Sequence, residues 1–522
     1  MKRLTGKKTY QMKINIRAAL CFVLLTAVMA ASCTKDFTAI NTDPNNIPFA
    51  LPDQLLAPAL VSVMTYNMVR NRGFNNELMQ VTVNQSDADA TVFRYDFKDS
   101  YSDYLYNGWY SELTNFKDLY KIASEPLNYN ASYMGISLIC QSWVYSMLTD
   151  TYGDIPFTQS NKGKDENILE PLFDRQQDIY DSLFQYLERA DTLLKAGTGI
   201  TAASDPVFYG DVAKWRKFGN SLYLRLLLRI SGKAAVSAKV IEKIRQIIAN
   251  PSTYPLMAGS ADDAVLRWTG QGAFISPFVS TRAQDFRSPS ICSFFIDHLV
   301  AWNDPRISIP IFGKGGVNRL GIAPVSGNYT GVASGYTPGT GEAKGSYFYA
   351  TDQTVSSLTP PAITMQTDPM TGLIMNYAEL QFILAECCVK GWIDADAAVY
   401  YNKGVESGIK YWLPDWDVPV EQYLADADMQ FNETGTLEEK MEQIGLQKYY
   451  VLLWADLEQW FEYRRTGHPV LPQGPGLKNG GVMPARMKYP IYIHATNPTN
   501  YKAAIEQQGP DEISTQVWWQ KP

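Results

Sequence analysis

The sequence predicts a mostly α-helical fold, and three observations carry that prediction. Apolar residues recur at three- and four-residue spacing through most of the chain. Strand-like runs such as Ser346 to Ala350 are short and confined to stretches rich in glycine, serine, threonine and proline. Of 522 residues, 46% are hydrophobic and 19% charged, which is enough to bury a large core. The same composition excludes disorder, collagen and coiled coil, since the 36 glycines have no period and 29 prolines are spread along the chain.

Residues 1–32 are set apart from the fold. Lys2, Arg3, Lys7, Lys8, Lys13 and Arg17 form a basic leader without an acid, followed by an apolar run from Ala18 to Ala30 that is too short to anchor in a bilayer. The run ends in Ala30-Ala31-Ser32-Cys33, small residues before a cysteine that can take a lipid. The expectation is a lipoprotein signal peptide over 1–32, lipidation at Cys33 and one domain over 33–522. Removing the leader leaves 40 basic and 53 acidic residues, a net charge of −13. That balance argues against a nucleic-acid partner, because phosphate needs the opposite sign.

Helices follow in order. Asp53 to Arg70 and Tyr104 to Ala123 are the first two; in the second, Trp109 and Tyr110 open an apolar stripe and read as core. In Tyr133 to Leu148 the apolar residues lie on one stripe, and Gly153 and Pro156 end the segment. Asp174, with Gln177 three residues on, reads as the N-cap of a helix striped by Ile179, Leu183, Leu187, Ala190 and Leu194. Trp215 to Ile230 is apolar nearly all round and so central; its Arg225 and Arg229 then require carboxylate partners. Ala238 to Ala249 and Ser290 to Trp302 come next. Asn376 to Lys390 and Ala395 to Trp412 read as a helical hairpin resembling one tetratricopeptide unit, with Ala397 and Ala398 at its crossing. Leu437 to Tyr463 reads as one last long helix.

Long loop-rich insertions at 71–103, 259–289 and 317–361 separate these blocks, and long loops on a compact scaffold tend to carry function. Chemistry-bearing motifs are scarce. The chain has only His298, His468 and His494, and it has no G-x-S-x-G, H-E-x-x-H or zinc spacing. Gly339 to Gly345 lacks the glycine spacing of a phosphate loop. Asp87 and Asp89, Asp394 and Asp396, and Asp426 and Asp428 offer oxygens to a structural calcium, but none continues into an EF-hand loop; turn or cap duty, and no cofactor, is the expectation. Cys140, Cys292, Cys387 and Cys388 show no C-x-x-C spacing and read as free thiols, mostly buried. The aromatic loops are more informative. Sugar rings stack their C–H faces on flat side chains while amides, acids and guanidinium groups bond the hydroxyls. Two platforms are expected: Phe93, Tyr95 and Tyr101 beside Asn84, Gln85, Asp87 and Arg94, and Trp268 and Phe274 near Gln271, Arg282, Gln284 and Arg287. The alternative is that each ring seals a loop onto the core.

Several segments in order resemble one family. They are Asn41-Thr42-Asp43-Pro44-Asn45-Asn46, Tyr152 to Ser160, Phe173 to Asp191, Lys214 to Ser231, Asp304-Pro305-Arg306, Asn376 to Cys387, Gln447 to Pro469 and Val517-Trp518-Trp519. Together they are similar to the SusD/RagB family of outer-membrane nutrient-binding lipoproteins of Bacteroidetes. The chain departs from that pattern after Tyr489-Pro490, where Ile491-Tyr492-Ile493-His494 replaces a polar stretch. The resemblance implies a tetratricopeptide-like helical scaffold and binding of oligosaccharides or other nutrients without catalysis. It also implies partnership with a SusC-like TonB-dependent outer-membrane transporter, and a lipid anchor that leaves the protein facing the cell exterior, Cys-Thr-Lys-Asp at 33–36 resembling a short acidic surface-export signal. Glu379 and Glu386, on one helical face, are expected to bind Arg464 and Arg465 in a buried structural link. Two other functions compete: a surface-anchored glycan hydrolase using a carboxylate pair, and a structural transporter subunit without its own ligand site.

Overall fold

The computed structural model describes residues 51–311, 314–351 and 363–521. The leader, Cys33 and the Asn41–Asn46 segment lie outside them. Thirteen helices of seven residues or more are described: α1 Pro52–Arg70, α2 Tyr101–Ser124, α3 Ala131–Tyr152, α4 Gln176–Leu194, α5 Val212–Ile230, α6 Ser237–Ala249, α7 Ser293–Ala301, α8 Tyr377–Val389, α9 Ala397–Trp412, α10 Val420–Asp426, α11 Leu437–Val451, α12 Glu458–Thr466 and α13 Pro498–Gln508. Strands are two or three residues long and pair antiparallel: β1 Thr82–Val83 with β3 Ser290–Ile291, β2 Ala264–Val265 with β8 Leu373–Met375, β4 Pro310–Ile311 with β5 Lys314–Gly315, and β6 Ile322–Ala323 with β7 Tyr347–Phe348. The fold is mostly α, as expected.

Sequential helices pack side by side, α1 on α2, α2 on α3, α3 on α4 and α8 on α9, the pattern of stacked helical hairpins. Helix α3 is buried along its whole length, not on one stripe. Its polar residues tolerate this because they are bonded: Ser137 Oγ donates to Phe116 O at 2.5 Å and Ser142 Oγ to Leu138 O at 2.8 Å. The α8–α9 hairpin is present, but its close approach falls on Gly404 rather than on Ala397 and Ala398, while Gly408 meets α11. A Cβ at Gly404 would stand 2.7 Å from the Phe382 ring, and one at Gly408 would collide with Val451 Cγ1 of α11.

Three element boundaries differ from expectation. Arg175, not Asp174, precedes α4; Asp174 instead accepts the Phe157 and Thr158 backbone N–H groups, both at 2.9 Å, and staples the turn after α3. Ser290 and Ile291 belong to β3, so α7 begins later. The long C-terminal helix is broken between α11 and α12, where Trp454 and Asp456 adopt φ of 71° and 44°. That break turns Asp456 inward to accept Asn67 Nδ2 and Trp143 Nε1, each at 2.7 Å.

Both arginines of α5 find carboxylates. Arg225 grips Glu379 through Nε at 2.7 Å and Nη2 at 2.5 Å, while Arg229 bonds Asp150 at 3.0 Å and also pairs with Glu458. The expected link between α8 and α12 is half right. Arg465 holds Glu386 through two bonds of 2.7 and 2.6 Å. Glu379 goes to Arg225 instead, and Arg464 donates to the carbonyls of Ala485 and Asp150 with its guanidinium 3.9 Å over the Trp460 ring. Trp109 is fully buried and Tyr110 half-buried. All four described cysteines are free thiols, Cys388 being half-buried and the others buried.

Candidate functional site

The three loop-rich insertions meet on one face. The β1–β3 pair ties the first to the residues that directly follow the second, and Ile291 N–H donates to Ser346 O of the third at 2.6 Å. Arg72 Nη2 reaches across to Asp285 O at 2.6 Å. Residues more than 200 positions apart are thereby brought side by side.

Most of the first expected platform works as mortar. Phe93 and Tyr95 are buried, and Phe93 packs 5.2 Å from Tyr336. Arg94 is buried beside both rings, its guanidinium centre 4.6 Å from the Phe93 ring and 5.1 Å from the Tyr336 ring, and it donates to Tyr336 O, Ala88 O and Ser86 O. Gln85 donates to Glu342 O at 2.6 Å and accepts from Ser290 Oγ at 2.7 Å, while Asp87 accepts the Gly339 N–H at 2.8 Å. Tyr101 is half-buried under Arg70, whose guanidinium lies 4.6 Å above its ring. Asn84 is exposed.

In the second set Trp268 is buried, with Nε1 3.1 Å from Met68 Sδ. Sugar stacks only on a ring face it can reach, so the platform expectation is corrected for Phe93, Tyr95 and Trp268: their apolar area is spent on the core. Phe274 stays half-exposed on a tight turn beside exposed Gln271, Ile275 and Val279. Arg282, exposed, pairs with Asp285 at 2.7 Å, and Gln284 is exposed beside it. Arg287 is half-buried, its carbonyl accepting Lys344 Nζ at 2.6 Å. The accessible remainder is an amide, guanidinium and ring set suited to hydroxyl-rich ligands.

Two clefts in the helical scaffold escaped the sequence reading. One of about 680 Å³ lies between α4, α5 and α6, with Phe184, Tyr223 and half-exposed Trp518 on its walls and Gln177, Gln185 and Gln246 among its polar lining. The other, of about 610 Å³, lies between α2, α3, α4 and the 157–166 segment, and contains Lys117. The available signal was the helical spacing of Gln177, Asp181, Phe184 and Glu188, which places a polar edge beside an aromatic ring.

The aspartate pairs serve the chain itself where their contacts are seen: Asp396 caps α9 by accepting the Ala398 N–H at 2.8 Å, and Asp428 sits at φ 53° after α10. Among the described residues no group of three or more His, Cys, Asp or Glu is placed to hold a metal ion.

The family model SusD-like_2, described as "Starch-binding associating with outer membrane", matches residues 44–490. A solved chitin-binding protein is 25% identical with TM-score 0.71, over 90% of this chain and 99% of that one. A SusD homologue from Bacteroides fragilis is 24% identical with TM-score 0.70, over 90% and 99%. A chitin-binding SusD homologue from Flavobacterium johnsoniae is 19% identical with TM-score 0.73, over 90% and 98%. No curated protein matches in sequence. With a helical scaffold of this architecture and a family match over most of its length, the chain belongs to the SusD-like family.

Proposed function

We propose that this protein is a non-catalytic glycan-binding lipoprotein. Its mature domain, from Cys33 onward, is tethered by lipid to the outer membrane, faces the cell exterior, and passes its ligand to a SusC-like TonB-dependent transporter. The observation that carries this reading is the family match over 44–490, whose description joins starch binding to the outer membrane. Chitin-binding relatives make β-linked amino sugars a sensible first probe. The ligand surface of the proposal is the loop face, where half-exposed Phe274 and exposed Gln271, Arg282 and Asn84 are within reach of a ligand. Moderate stacking and a few hydrogen bonds suit a receptor that must release what it captures.

The non-catalytic reading is supported by the family match, whose description is one of binding. No cofactor enters the proposal.

Affinity electrophoresis of the purified protein against chitin, starch and other polysaccharides tests binding, and a reducing-sugar assay on the same panel tests turnover. Retardation without turnover is expected. Release of reducing ends would establish the hydrolase reading, and absence of retardation by every polysaccharide would favour the structural-subunit reading.

A further inference from the structure

The cleft between α2, α3, α4 and the 157–166 segment contains a cation that the protein itself leaves without a countercharge. Lys117 is half-buried, and its ammonium donates to Ser160 O and Ser160 Oγ, both at 2.9 Å. An ammonium has three donors, so one is left beyond these two bonds. Among the described residues no carboxylate pairs with it, although Lys121 has Asp165 at 3.0 Å and Lys162 has Glu166 at 3.1 Å within the same cleft. Asp118, the remaining acid of the lining, is exposed. Burial, and then the charge of nearby Lys162, pushes the Lys117 ammonium down to about 8. A buried cation is costly until an anion joins it.

The rest of the lining suits a sugar. Phe157 and half-exposed Tyr186, 5.9 Å apart, line the cleft, while Tyr145 is buried behind them with its ring 5.5 Å from Lys117 Nζ. Arg189, exposed, donates through Nε to Tyr120 OH at 3.1 Å, which leaves its terminal nitrogens free of any described carboxylate. The volume of about 610 Å³ is that of a small-ligand site.

We propose that this cleft is a second ligand site, selective for an acidic saccharide whose carboxylate meets Lys117 while its ring lies against Tyr186. It is separate from the loop face and takes from the preceding section only that the ligand is a sugar. Charge-assisted bonds of this kind are shorter and stronger than neutral ones, so the acidic form of a sugar should bind well above its neutral counterpart.

The test is calorimetric titration of the full mature protein with trigalacturonate, with neutral galactotriose and with acetate. Trigalacturonate is expected to bind, with affinity falling as pH rises between about 7 and 9 because Lys117 loses its proton. Lys117→Met keeps the aliphatic stem and should weaken that binding at least about tenfold, with melting temperature shifted by no more than about 2 °C. Lys117→Arg should retain part of it. Should the methionine variant fold poorly, Arg189→Gln on the exposed wall is expected to weaken the same ligand about threefold or more. Equal binding of acidic and neutral trisaccharides, or binding untouched by both variants, would overturn the inference while leaving glycan binding intact. Acetate binding as tightly as trigalacturonate would overturn it too, by reducing the cleft to a simple anion site. Binding of no saccharide, there or across the polysaccharide panel, would sink both readings.

Discussion

Arg465 and Glu386 face each other as a two-bonded pair, 2.7 and 2.6 Å, that fastens α12 to α8 with both side chains buried. Lys390 supports the same carboxylate at 2.6 Å, and Glu462 the same guanidinium at 2.8 Å. This cluster joins two helices of the scaffold.

Glu386→Ala should therefore leave Arg465 less compensated in the core. Removing one partner of a buried pair costs about 3–5 kcal/mol. Thermal unfolding should show a clear drop in melting temperature, with glycan retardation unchanged in the folded fraction. A variant that loses binding while melting normally would place Glu386 in the ligand site instead.

Acid should act through the same residue. Burial by itself would raise the Glu386 pKa, but Arg465 and then Lys390 outweigh it and hold it at about 2, below its ordinary 4.5. The pair's contribution is complete above about pH 4.5 and is lost as pH falls toward 2. Denaturant midpoints measured across that window should decline more steeply in the wild type than in Glu386→Gln.

Glu77 behaves in the opposite sense. Burial, only partly offset by the Phe93 backbone N–H and by Arg72, pushes its carboxyl up to about 8 from 4.5. Its favourable term is complete below about pH 4.5 and disappears as pH rises through about 8. Glu77→Gln should melt close to wild type in mild acid and above it at alkaline pH. Parallel curves across that range would refute a buried, protonated Glu77.

The buried and exposed loop aromatics should separate cleanly. Phe93→Ala opens a hole in the core, and such truncations cost about 3–5 kcal/mol. Phe274→Ala, half-exposed and only partly packed on the core, should lower melting less than Phe93→Ala yet lose polysaccharide retardation, whereas Trp518→Ala should spare it. Loss with Trp518→Ala alone would move the site to the cleft between α4, α5 and α6.

Anchoring is tested at the start of the mature chain. Cys33→Ala should abolish metabolic labelling with palmitate and move the protein out of the outer-membrane fraction. Unchanged fractionation would remove the lipid tether from the proposal.

Helical periodicity made most of the scaffold legible, because a stripe such as Ile179, Leu183 and Leu187 follows directly from 3.6 residues per turn. The need of Arg225 and Arg229 for carboxylates was also readable, although not which ones. Glu379 lies 154 positions from Arg225, and sequence spacing says nothing about such distances. The break between α11 and α12 was hidden for a related reason: it is set by Asn67 and Trp143, which bond Asp456 from elsewhere in the chain. Aromatics misled at the loop face because Phe93 and Phe274 have the same ring and differ only in which side of a loop meets the core. Both scaffold clefts went unseen because each is lined from several helices, none of which carries a motif.

Asp150 accepts four side-chain donors: Gln176 Nε2 at 3.4 Å, Tyr180 OH at 2.7 Å, Arg229 at 3.0 Å and Trp519 Nε1 at 2.8 Å, the last 369 positions downstream. During synthesis and export the chain emerges from its N-terminus, so Asp150 is translated long before Trp519 exists to complete its shell. Half-made polypeptides thus keep an unfinished centre until the tail arrives, which favours holding them with chaperones over letting them fold early.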